Sequence, residues 1–443
     1  MGSRLGKGAP REALMRVTLA VLLLLLGTPA HAAGPLALRE VLPNGAVLLV
    51  TERPAIPIVV VRVGVPGGAV HDPDDALGVA SLTAELLTRG TARRSGPELD
   101  RAIEFVGGSL ETGAGSDGAG VTLAVLKKDL ALGLDLLAEV LLQPTFPADE
   151  LARKVADTQA GLRRSEQNPE TVAGRELGRL MFPSHPYGRP ASGTIESVGK
   201  LTREQVVAFH ARHYRPDGAT IVAVGDITAG DIRRELLARL SGWRSPPGQL
   251  PRVPTPALTV PPEDRKIARD LTQTTVLLGR PSIRQSDPDY FPLAVATYVL
   301  GGGSASRLYT RVREEKGLAY SVYSALLPAR HGASYLVSLQ TGPDGVAEAG
   351  RLIREEMLRL GREPVPAAEL DRAKSYLIGS FPLRLDTSSK LARFLGAVEE
   401  SGLGLDYPDR YRERIGRVTA ADLQRVAARY LDPATFSSVT VGK

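Results

Sequence analysis

The chain has 443 residues, more than one ordinary hydrophobic core holds, so two or more domains are expected. Apolar residues make up 43% of it and charged residues 23%, which is the balance of a soluble globular protein. The absence of cysteine excludes disulfides and thiolate chemistry.

The first 32 residues predict a secretory signal peptide. Arg11 and Arg16 precede the apolar run Val17–Gly27, and an A-x-A cleavage site ends at Ala32. The run is a little short for a membrane span, so a cleaved signal is favoured over the alternative, an uncleaved anchor. We therefore expect a periplasmic protein with no stable membrane insertion after signal cleavage.

The charge of the mature chain is weak. Four basic residues and one acidic residue leave with residues 1–32, so the formal net charge falls from +6 to +3. A charge this small does not favour a nucleic-acid partner. Translation from Met15 would give a more typical signal peptide than translation from Met1, and both starts stay open.

Strands and helices alternate along the rest of the chain. Short and partly alternating apolar runs predict strands at Ile56–Val65, Gly120–Leu126, Thr274–Ser282 and Ser334–Thr341. Apolar residues at helical spacing predict helices at Lys128–Gln143 and Gly345–Leu360. These elements indicate an α+β fold, with a mixed or antiparallel sheet packed with helices in each half.

A proline-rich segment separates two similar halves. Gly242–Lys266 contains seven prolines and little periodicity, which is typical of an extended linker. "PADELARK" from Pro147 matches "PAAELDRAK" from Pro366, and "LTREQVVAFHARHYRPDG" from Leu201 matches "VTAADLQRVAARYLDPAT" from Val418. We predict a duplicated domain at 33–245 and 263–443, joined by a linker at 246–262.

One short stretch, "GVASLTAELLTRGT" (Gly78–Thr91), predicts a helix. Asp74 and Asp75 are candidate N-terminal caps and Gly90 is a candidate C-terminal cap.

This stretch and others resemble the peptidase M16 family, also called the insulinase or pitrilysin family, and its subfamily of short two-domain chains. The similarity covers nearly all of the mature chain. The other segments that resemble the family are "LPNGAVLLV" (Leu42–Val50), "RRSEQNPE" (Arg163–Glu170), "FPSHPYGRPASGTIESV" (Phe182–Val198) and "LGGGSASRLYTRVREEKGLAYSVYS" (Leu300–Ser324).

The resemblance implies a zinc site that this sequence has lost. In active members the first helix carries H-x-x-E-H, in which two histidines on one helix face bind zinc and the glutamate is the general base. Here Ser81 and Glu85 replace the histidines and Ala84 replaces the base. Gly161 stands at the position of the distal glutamate ligand. We expect no metal in this chain and zinc in a partner subunit.

The histidines offer no obvious replacement site. His210 and His213 lie three residues apart on a predicted helix, but no third ligand accompanies them, so packing is the favoured interpretation. The segment "HDPDD" at His71 could bind a cation, yet a turn with a helix cap is favoured.

The second half keeps the family's substrate-binding residues. By resemblance, Arg313 and Tyr320 bind the substrate backbone near the scissile bond, and the glycine-rich turn Gly301, Gly302 and Gly303 borders the peptide cavity. Arginine and tyrosine both supply donors that can stabilise a developing oxyanion. The alternatives are that Arg313 pairs with Glu314 or another surface acid, that Tyr320 packs in the core, and that the glycines form a plain flexible turn.

These features predict the non-catalytic, substrate-binding subunit of an exported heterodimeric zinc peptidase. The expected partner is an M16 chain that carries H-x-x-E-H, and the expected substrate is a peptide. On its own the chain would be a pseudo-peptidase. The alternative is a peptide-binding or scaffold protein with no role in proteolysis, and no Ser/His/Asp set or carboxylate pair indicates new chemistry.

Overall fold

The computed structural model describes Gly2 and residues 36–443. The predicted signal peptide at 1–32 lies outside the described residues, except for Gly2. The same holds for its cleavage site and for the alternative start at Met15. Within the part that is described, every helix is too short or too polar to cross a membrane.

The first half is built on a six-stranded mixed sheet in the order β1-β2-β6-β3-β5-β4. Only β2 and β6 run parallel, and the other neighbours are antiparallel. The strands are β1 (Leu38–Val41), β2 (Val47–Glu52), β3 (Ile58–Val65), β4 (Ser109–Ala114), β5 (Ala119–Leu126) and β6 (Thr220–Gly225). The helices are α1 (Val79–Leu86), α2 (Gly96–Phe105), α3 (Leu130–Leu142), α4 (Ala148–Ser165), α5 (Pro169–Met181), α6 (Ile195–Gly199), α7 (Arg203–His213) and α8 (Ala229–Arg239).

The second half is built on a five-stranded mixed sheet in the order β7-β11-β8-β10-β9. Its strands are β7 (Asp264–Ala268), β8 (Thr274–Ser282), β9 (Ala319–Pro328), β10 (Ala333–Thr341) and β11 (Ser437–Gly442). Its helices are α9 (Tyr290–Gly301), α10 (Val346–Arg362), α11 (Ala367–Ser380), α12 (Ser388–Glu400), α13 (Tyr407–Arg417) and α14 (Ala420–Tyr430), and a π-helix spans Tyr309–Glu315.

The predicted α+β class with a mixed sheet in each half is confirmed. The strand expected at Thr274–Ser282 has those bounds as β8, and the other three predicted strands are present as β3, β5 and β10. The helices expected from apolar periodicity are α3 and α10, each shifted by no more than two residues at either end.

The predicted duplication is visible in the topology. The order β2-β6-β3-β5-β4 in the first sheet has the same connectivity as β7-β11-β8-β10-β9 in the second. In both sheets the strand that follows the duplicated capped helix pairs parallel with the first of these five strands. The two copies of that helix, α7 and α14, begin with the same capping box, at Thr202 and Thr419.

Each half contains one helix that packs on the sheet of the other half. Helix α5 follows α4 in the first half but packs on β8 and β11, and α12 follows α11 in the second half but packs on β3 and β6. Leu177 and Met181 of α5 join Leu277, Val439 and Val441 in one buried apolar cluster. The domain boundaries at 33–245 and 263–443 stay a prediction from chain order, and this exchange makes residues 37–443 one compact unit.

The proline-rich segment contains no helix or strand between α8 and β7. It is held at Pro254, whose carbonyl lies 2.9 Å from His185 Nε2. A second connection joins the β9–β10 turn to the first half, where the Arg330 amide donates to Asp117 (2.9 Å) and the His331 amide to Tyr187 Oη (3.0 Å).

Candidate functional site

Helix α1 is capped by an aspartate other than the predicted ones. The Asp72 carboxylate accepts hydrogen bonds from the Gly78 amide (2.7 Å) and the Ala80 amide (3.0 Å). Asp74 pairs with an arginine outside the helix and Asp75 is exposed, so their predicted capping role is wrong. Burial raises the pKa of Asp72 to about 6, although the two backbone donors act in the opposite direction.

The end of α1 also differs from the prediction. The helix ends at Leu86 with Leu87 as its C-cap, several residues before Gly90. Gly90 instead forms an isolated antiparallel bridge with Ser95. Its φ of 155° is positive and favours glycine, but it lies far from the roughly +57° of a helix-terminating glycine.

The four positions at which the resemblance places a zinc site lie only partly together. Glu85 and Gly161 line one cavity of about 650 Å³ between α1, α4, α5 and the loop Tyr187–Gly193. Ser81 is half-buried and is not part of the cavity lining. Ala84 is fully buried in the core of the first half, which gives it no access to a bound substrate.

A lysine ammonium is the partner of the remaining carboxylate. Lys154 on α4 places Nζ 3.4 Å from Glu85 Oε2. Lys154 precedes Gly161 by seven residues, or two helical turns, so both face the same side of α4. The positive charge next to Glu85 is therefore supplied by the chain itself.

The residues present do not fit a zinc ion. A structural or catalytic zinc needs at least three protein ligands, and this position offers one carboxylate that is paired with Lys154. Among the described residues, no cluster of three or more His, Asp or Glu side chains could hold a metal. The loss at Gly161 is not forced by crowding, since an added Cβ would meet only Arg164 Nη2, at 3.9 Å.

Arg313 and Tyr320 are presented to solvent together. The Arg313 guanidinium lies over the rings of Tyr309 (4.8 Å) and Tyr320 (5.9 Å), and it forms no ion pair with Glu314 or any other described acid. Tyr320 is 71% exposed, so its interpretation as a core residue is wrong. These side chains lie on the π-helix and at the start of β9, and π-helical turns are frequent at functional sites.

Close packing requires glycine at two of the three positions in the glycine-rich turn. A Cβ on Gly301 would lie 2.8 Å from Ser324 Oγ, and one on Gly302 would lie 2.5 Å from the Tyr298 ring. Gly303 has more room, with Tyr298 Oη at 3.4 Å. The turn closes α9 against β9, and Gly302 and Gly303 are exposed next to it.

The structure keeps these two groups apart. The cavity at Glu85 and Gly161 is lined by first-half residues alone, and Arg313, Tyr320 and the glycine turn do not line it. Tyr320 instead belongs to β9, an edge strand of the second sheet. Each group therefore faces its own surface of this chain.

The histidines pack as expected. His210 Nε2 lies 3.0 Å from the Leu141 carbonyl oxygen, and its ring stacks on Tyr214. His213 stacks on Phe209 and also on His71, which is distant in the sequence. The "HDPDD" segment forms the turn and the cap of α1, as predicted, with Asp72 as the capping residue.

Sequence reasoning missed Lys154 and the stacked pair of His71 and His213. A lysine at i−7 from Gly161 was a usable signal, because that spacing puts both on one face of a helix. The histidine pair gave no local signal, since it depends on the packing of two distant segments.

Comparisons with known proteins agree with the fold. A family model described as insulinase (peptidase family M16) matches residues 47–195, and one described as peptidase M16 inactive domain matches residues 200–377. The crystal structure of a peptidase M16 inactive domain from Pseudomonas fluorescens superposes with a TM-score of 0.87 at 28% identity, covering 92% of this chain and 97% of that one.

Similar sequences include one named as a protease and one named as a non-peptidase. An uncharacterized zinc protease of Mycobacterium tuberculosis is 31% identical over 422 residues, which are 94% of this chain and 95% of the relative. A non-peptidase homolog of Helicobacter pylori is 27% identical over 362 residues, or 81% and 82% of the two chains. Together with the two family models, these similarities show that the chain belongs to peptidase family M16, the insulinase family.

Proposed function

We propose that this chain is the non-catalytic, substrate-binding subunit of an exported zinc peptidase formed by two M16 chains. The observation that carries the proposal is the contrast between its two groups of site residues. The positions matched to the metal site hold Ser81, Ala84, Gly161 and a Glu85–Lys154 ion pair, while Arg313 and Tyr320 are exposed and Arg313 forms no ion pair with a described residue.

Arg313 and Tyr320 are suited to act on a substrate held by another subunit. Arg313 offers a fixed charge with several donors, and Tyr320 offers one hydroxyl donor on an exposed ring. Stacking of the guanidinium against two tyrosine rings orients it without using up its hydrogen bonds. Donors held in this way stabilise the charge that develops on a carbonyl oxygen during peptide hydrolysis.

The strand that carries Tyr320 offers a place for the peptide backbone. Strand β9 is at the edge of the second sheet and pairs with β10 on one side only. An extended peptide can add to such an edge through main-chain hydrogen bonds, which tolerate varied side chains. A peptide on β9 would run beside Tyr320 and bring its carbonyls within reach of the two donors.

The catalytic partner would supply what the first half of this chain has lost. We expect an M16 chain with an intact H-x-x-E-H helix and a glutamate ligand, which together bind zinc. Because the M16 positions of this chain do not fit zinc, we assign the metal to the partner alone. This chain would then be a pseudo-peptidase by itself and part of a peptidase in the heterodimer.

Export to the periplasm is part of the proposal and rests on the sequence of residues 1–32. An intact-mass measurement of the exported protein tests it, with cleavage after Ala32 as the expected result. A mature mass that still includes Val17–Gly27 would contradict export as a soluble subunit.

The function is tested by co-expressing this chain with an M16 chain from the same organism that carries an intact H-x-x-E-H helix, sought first among the neighbouring genes. The purified complex should cleave peptides, whereas this chain alone should not. Arg313→Ala and Tyr320→Phe should each lower the cleavage rate of the complex by about 10- to 100-fold, less than the roughly 10²–10³ that one oxyanion donor can contribute, since the two share the task. Assembly and the zinc content of the partner should not change.

Matched variants separate the donor role from a general effect. Arg393→Ala removes an exposed arginine that has no ion pair with a described residue, and Tyr376→Phe removes the hydroxyl of a tyrosine that is 55% exposed. Both should leave the rate unchanged. If Arg313→Ala and Tyr320→Phe also left it unchanged in an intact complex, the scaffold function would replace the proposed one.

A further inference from the structure

A second cavity lies on the other side of Arg189 from the one at Glu85. It measures about 630 Å³, within the range of about 300–1,000 Å³ that ligand sites occupy. Its walls are the His71 turn, the start of α1, α7 and the proline-rich segment at Pro251–Pro254. We call it the histidine cavity, because His71 and His213 both line it.

The floor of the histidine cavity is a stack of three rings. Phe209 and His213 stack with centroids 4.3 Å apart, and His213 and His71 stack at 5.0 Å, with interplanar angles of 29° and 28°. Phe209 and His213 are buried, whereas His71 is half-buried at the open end of the stack. A further flat ring could continue the stack on the outer face of His71.

Both imidazoles are neutral near pH 7. Burial, followed by neighbouring charges such as Arg212, lowers the pKa of each to about 4. His213 bonds to the Pro66 carbonyl, and its Nδ1 is buried without a hydrogen-bond partner among the described residues. Because both rings are neutral, the positive charge at the cavity comes from its arginines.

Two arginines at the cavity have no charged partner among the described residues. Asp72 is satisfied by two backbone amides of α1, and Asp74 is paired with Arg189 at 2.7 Å. Arg212 and Arg252 line the cavity and form no salt bridge or hydrogen bond with a described residue. Exposed Asp75 is the one lining acid without such a partner, so the free charges at the rim sum to a positive value.

We propose that the histidine cavity binds a ligand that joins an aromatic ring to a carboxylate. The ring would stack on His71, and the carboxylate would meet Arg212 and Arg252, for which the guanidinium fork is well suited. Two sources share this chemistry: a free aromatic carboxylic acid, and the carboxyl-terminal aromatic residue of a peptide. The site does not depend on the catalytic partner, so it stands or falls separately from the proposed peptidase function.

Calorimetric titration of the purified chain tests the site with three probes. These are N-acetyl-L-phenylalanine, the peptide acetyl-Ala-Ala-Ala-Phe with a free carboxylate, and the same peptide as its carboxyl-terminal amide. We expect saturable binding of the free acids at one per chain and a loss of about tenfold or more for the amide, because it lacks the charge that the arginines recognise. Tighter binding of the free peptide than of the amino acid would assign the site to peptide ends, and equal binding would assign it to small acids.

Variants locate the site. Arg212→Gln and Arg252→Gln should each weaken binding of the free acids by about tenfold, whereas Arg244→Gln, which changes an exposed arginine outside the cavity, should not. His71→Leu should weaken binding by removing the outer ring of the stack. Equal affinity for the free peptide and the amide, no saturable binding of either acid, or an unchanged affinity in both arginine variants would overturn the proposal. Thermal unfolding checks that each variant is folded.

Discussion

The two halves of this chain share the order of five strands but differ in the residues that follow the same strand. In the first half, the helix after the third strand, α1, has Ser81, Ala84 and Glu85 where the M16 family has its zinc motif. In the second half, the helix after the equivalent strand, α9, leads into the glycine turn and on to Arg313 and Tyr320. The comparison shows that one strand order accommodates different side chains in its two copies, and on the proposed function only the second copy serves a substrate.

What the first half has kept is its packing. Leu82, Ala84 and Leu86 of α1 are almost wholly buried, and Asp72 still caps the helix. The side of α1 that faces the core thus stays apolar and includes Ala84, whereas Ser81 and Glu85 are half-buried outside the core cluster.

The sharpest way to break this comparison is to restore the metal site. Ser81→His, Glu85→His and Gly161→Glu together with Lys154→Ala should give a chain that takes up one zinc, because the histidines are spaced four apart and a side chain at Gly161 has room. The unchanged chain should hold none after dialysis, as measured by elemental analysis. One tightly bound zinc in the unchanged chain would contradict the assignment of zinc to the partner.

In the same experiment, the three ligand substitutions without Lys154→Ala should bind zinc more weakly. The ammonium of Lys154 lies next to Glu85 and would repel the ion. Ala84 is kept in both variants, so metal binding without peptide cleavage is the expected result. Equal zinc affinity with and without Lys154 would show that the lysine does not occupy the cation position.

A smaller effect tests whether the halves are energetically separate. Leu177 of α5 is 1% exposed and packs with the second sheet, so Leu177→Ala should lower the free energy of unfolding by about 2–5 kcal/mol. Urea unfolding should still show one transition for the whole chain, because this helix belongs to the core of the other half. Leu383→Ala, at a residue that is 63% exposed, should change stability by no more than about 0.5 kcal/mol. Two separate transitions in Leu177→Ala would show that the halves fold independently.

The halves should also differ in their response to acid. His71 and His213 have a folded-state pKa of about 4, against an ordinary value of 6.5, so the unfolded chain binds more protons between these pH values. Their contribution to stability is complete above about pH 6.5 and is lost as the pH falls towards 4. The matching helix of the second half has Tyr430 in place of His213, and burial raises the pKa of Tyr430 to about 12, far above this range.

The variant His71→Gln isolates this effect. It should reduce the slope of unfolding free energy against pH between 4 and 6.5 by up to about 1.4 kcal/mol per pH unit, the value for one proton. The comparison with the unchanged chain removes the opposing contribution of Asp72, whose raised pKa acts in the other direction. The charges facing His71, namely His331, Arg330, Arg212 and Asp117, stay the same in both proteins. Identical slopes would mean that His71 is protonated in the folded chain.

The smallest expected effect concerns the Glu85–Lys154 pair. Its side chains are 40% and 26% exposed, so solvent screens the interaction. Glu85→Gln and Lys154→Met should each change stability by about 0.2–1 kcal/mol, and a double-mutant cycle should give a coupling of the same size. A coupling well above 2 kcal/mol would mark the pair as a structural replacement for the metal rather than a screened surface contact.

The sequence predicted the parts of this fold that local patterns determine. Strand β8 and helices α3 and α10 follow from apolar periodicity, and the duplication follows from matched segments at Pro147 and Pro366. The helix exchange could not be predicted, because the apolar face of α5 does not specify which sheet it covers. The cap at Asp72, in place of Asp74 or Asp75, depends on the path of a turn that composition leaves open.

For the site, the resemblance identified the positions and the structure supplied the surroundings. It located Ser81, Ala84, Glu85 and Gly161 as changed, but not the lysine that now faces Glu85. The exposure of Tyr320 does not follow from the sequence, since an aromatic residue at the start of a strand is compatible with either a core or a surface position.

The exchange of α5 and α12 has a consequence for how such a chain can evolve. If either half were deleted, the remaining sheet would lose the helix that covers it, and β8 and β11 or β3 and β6 would be exposed to water. Substitutions at Ser81 and Glu85 of α1 carry no such penalty, because neither side chain belongs to the core cluster. On the proposed function, selection can therefore discard the metal ligands of the first half but not the half itself, because the second sheet depends on α5 for cover.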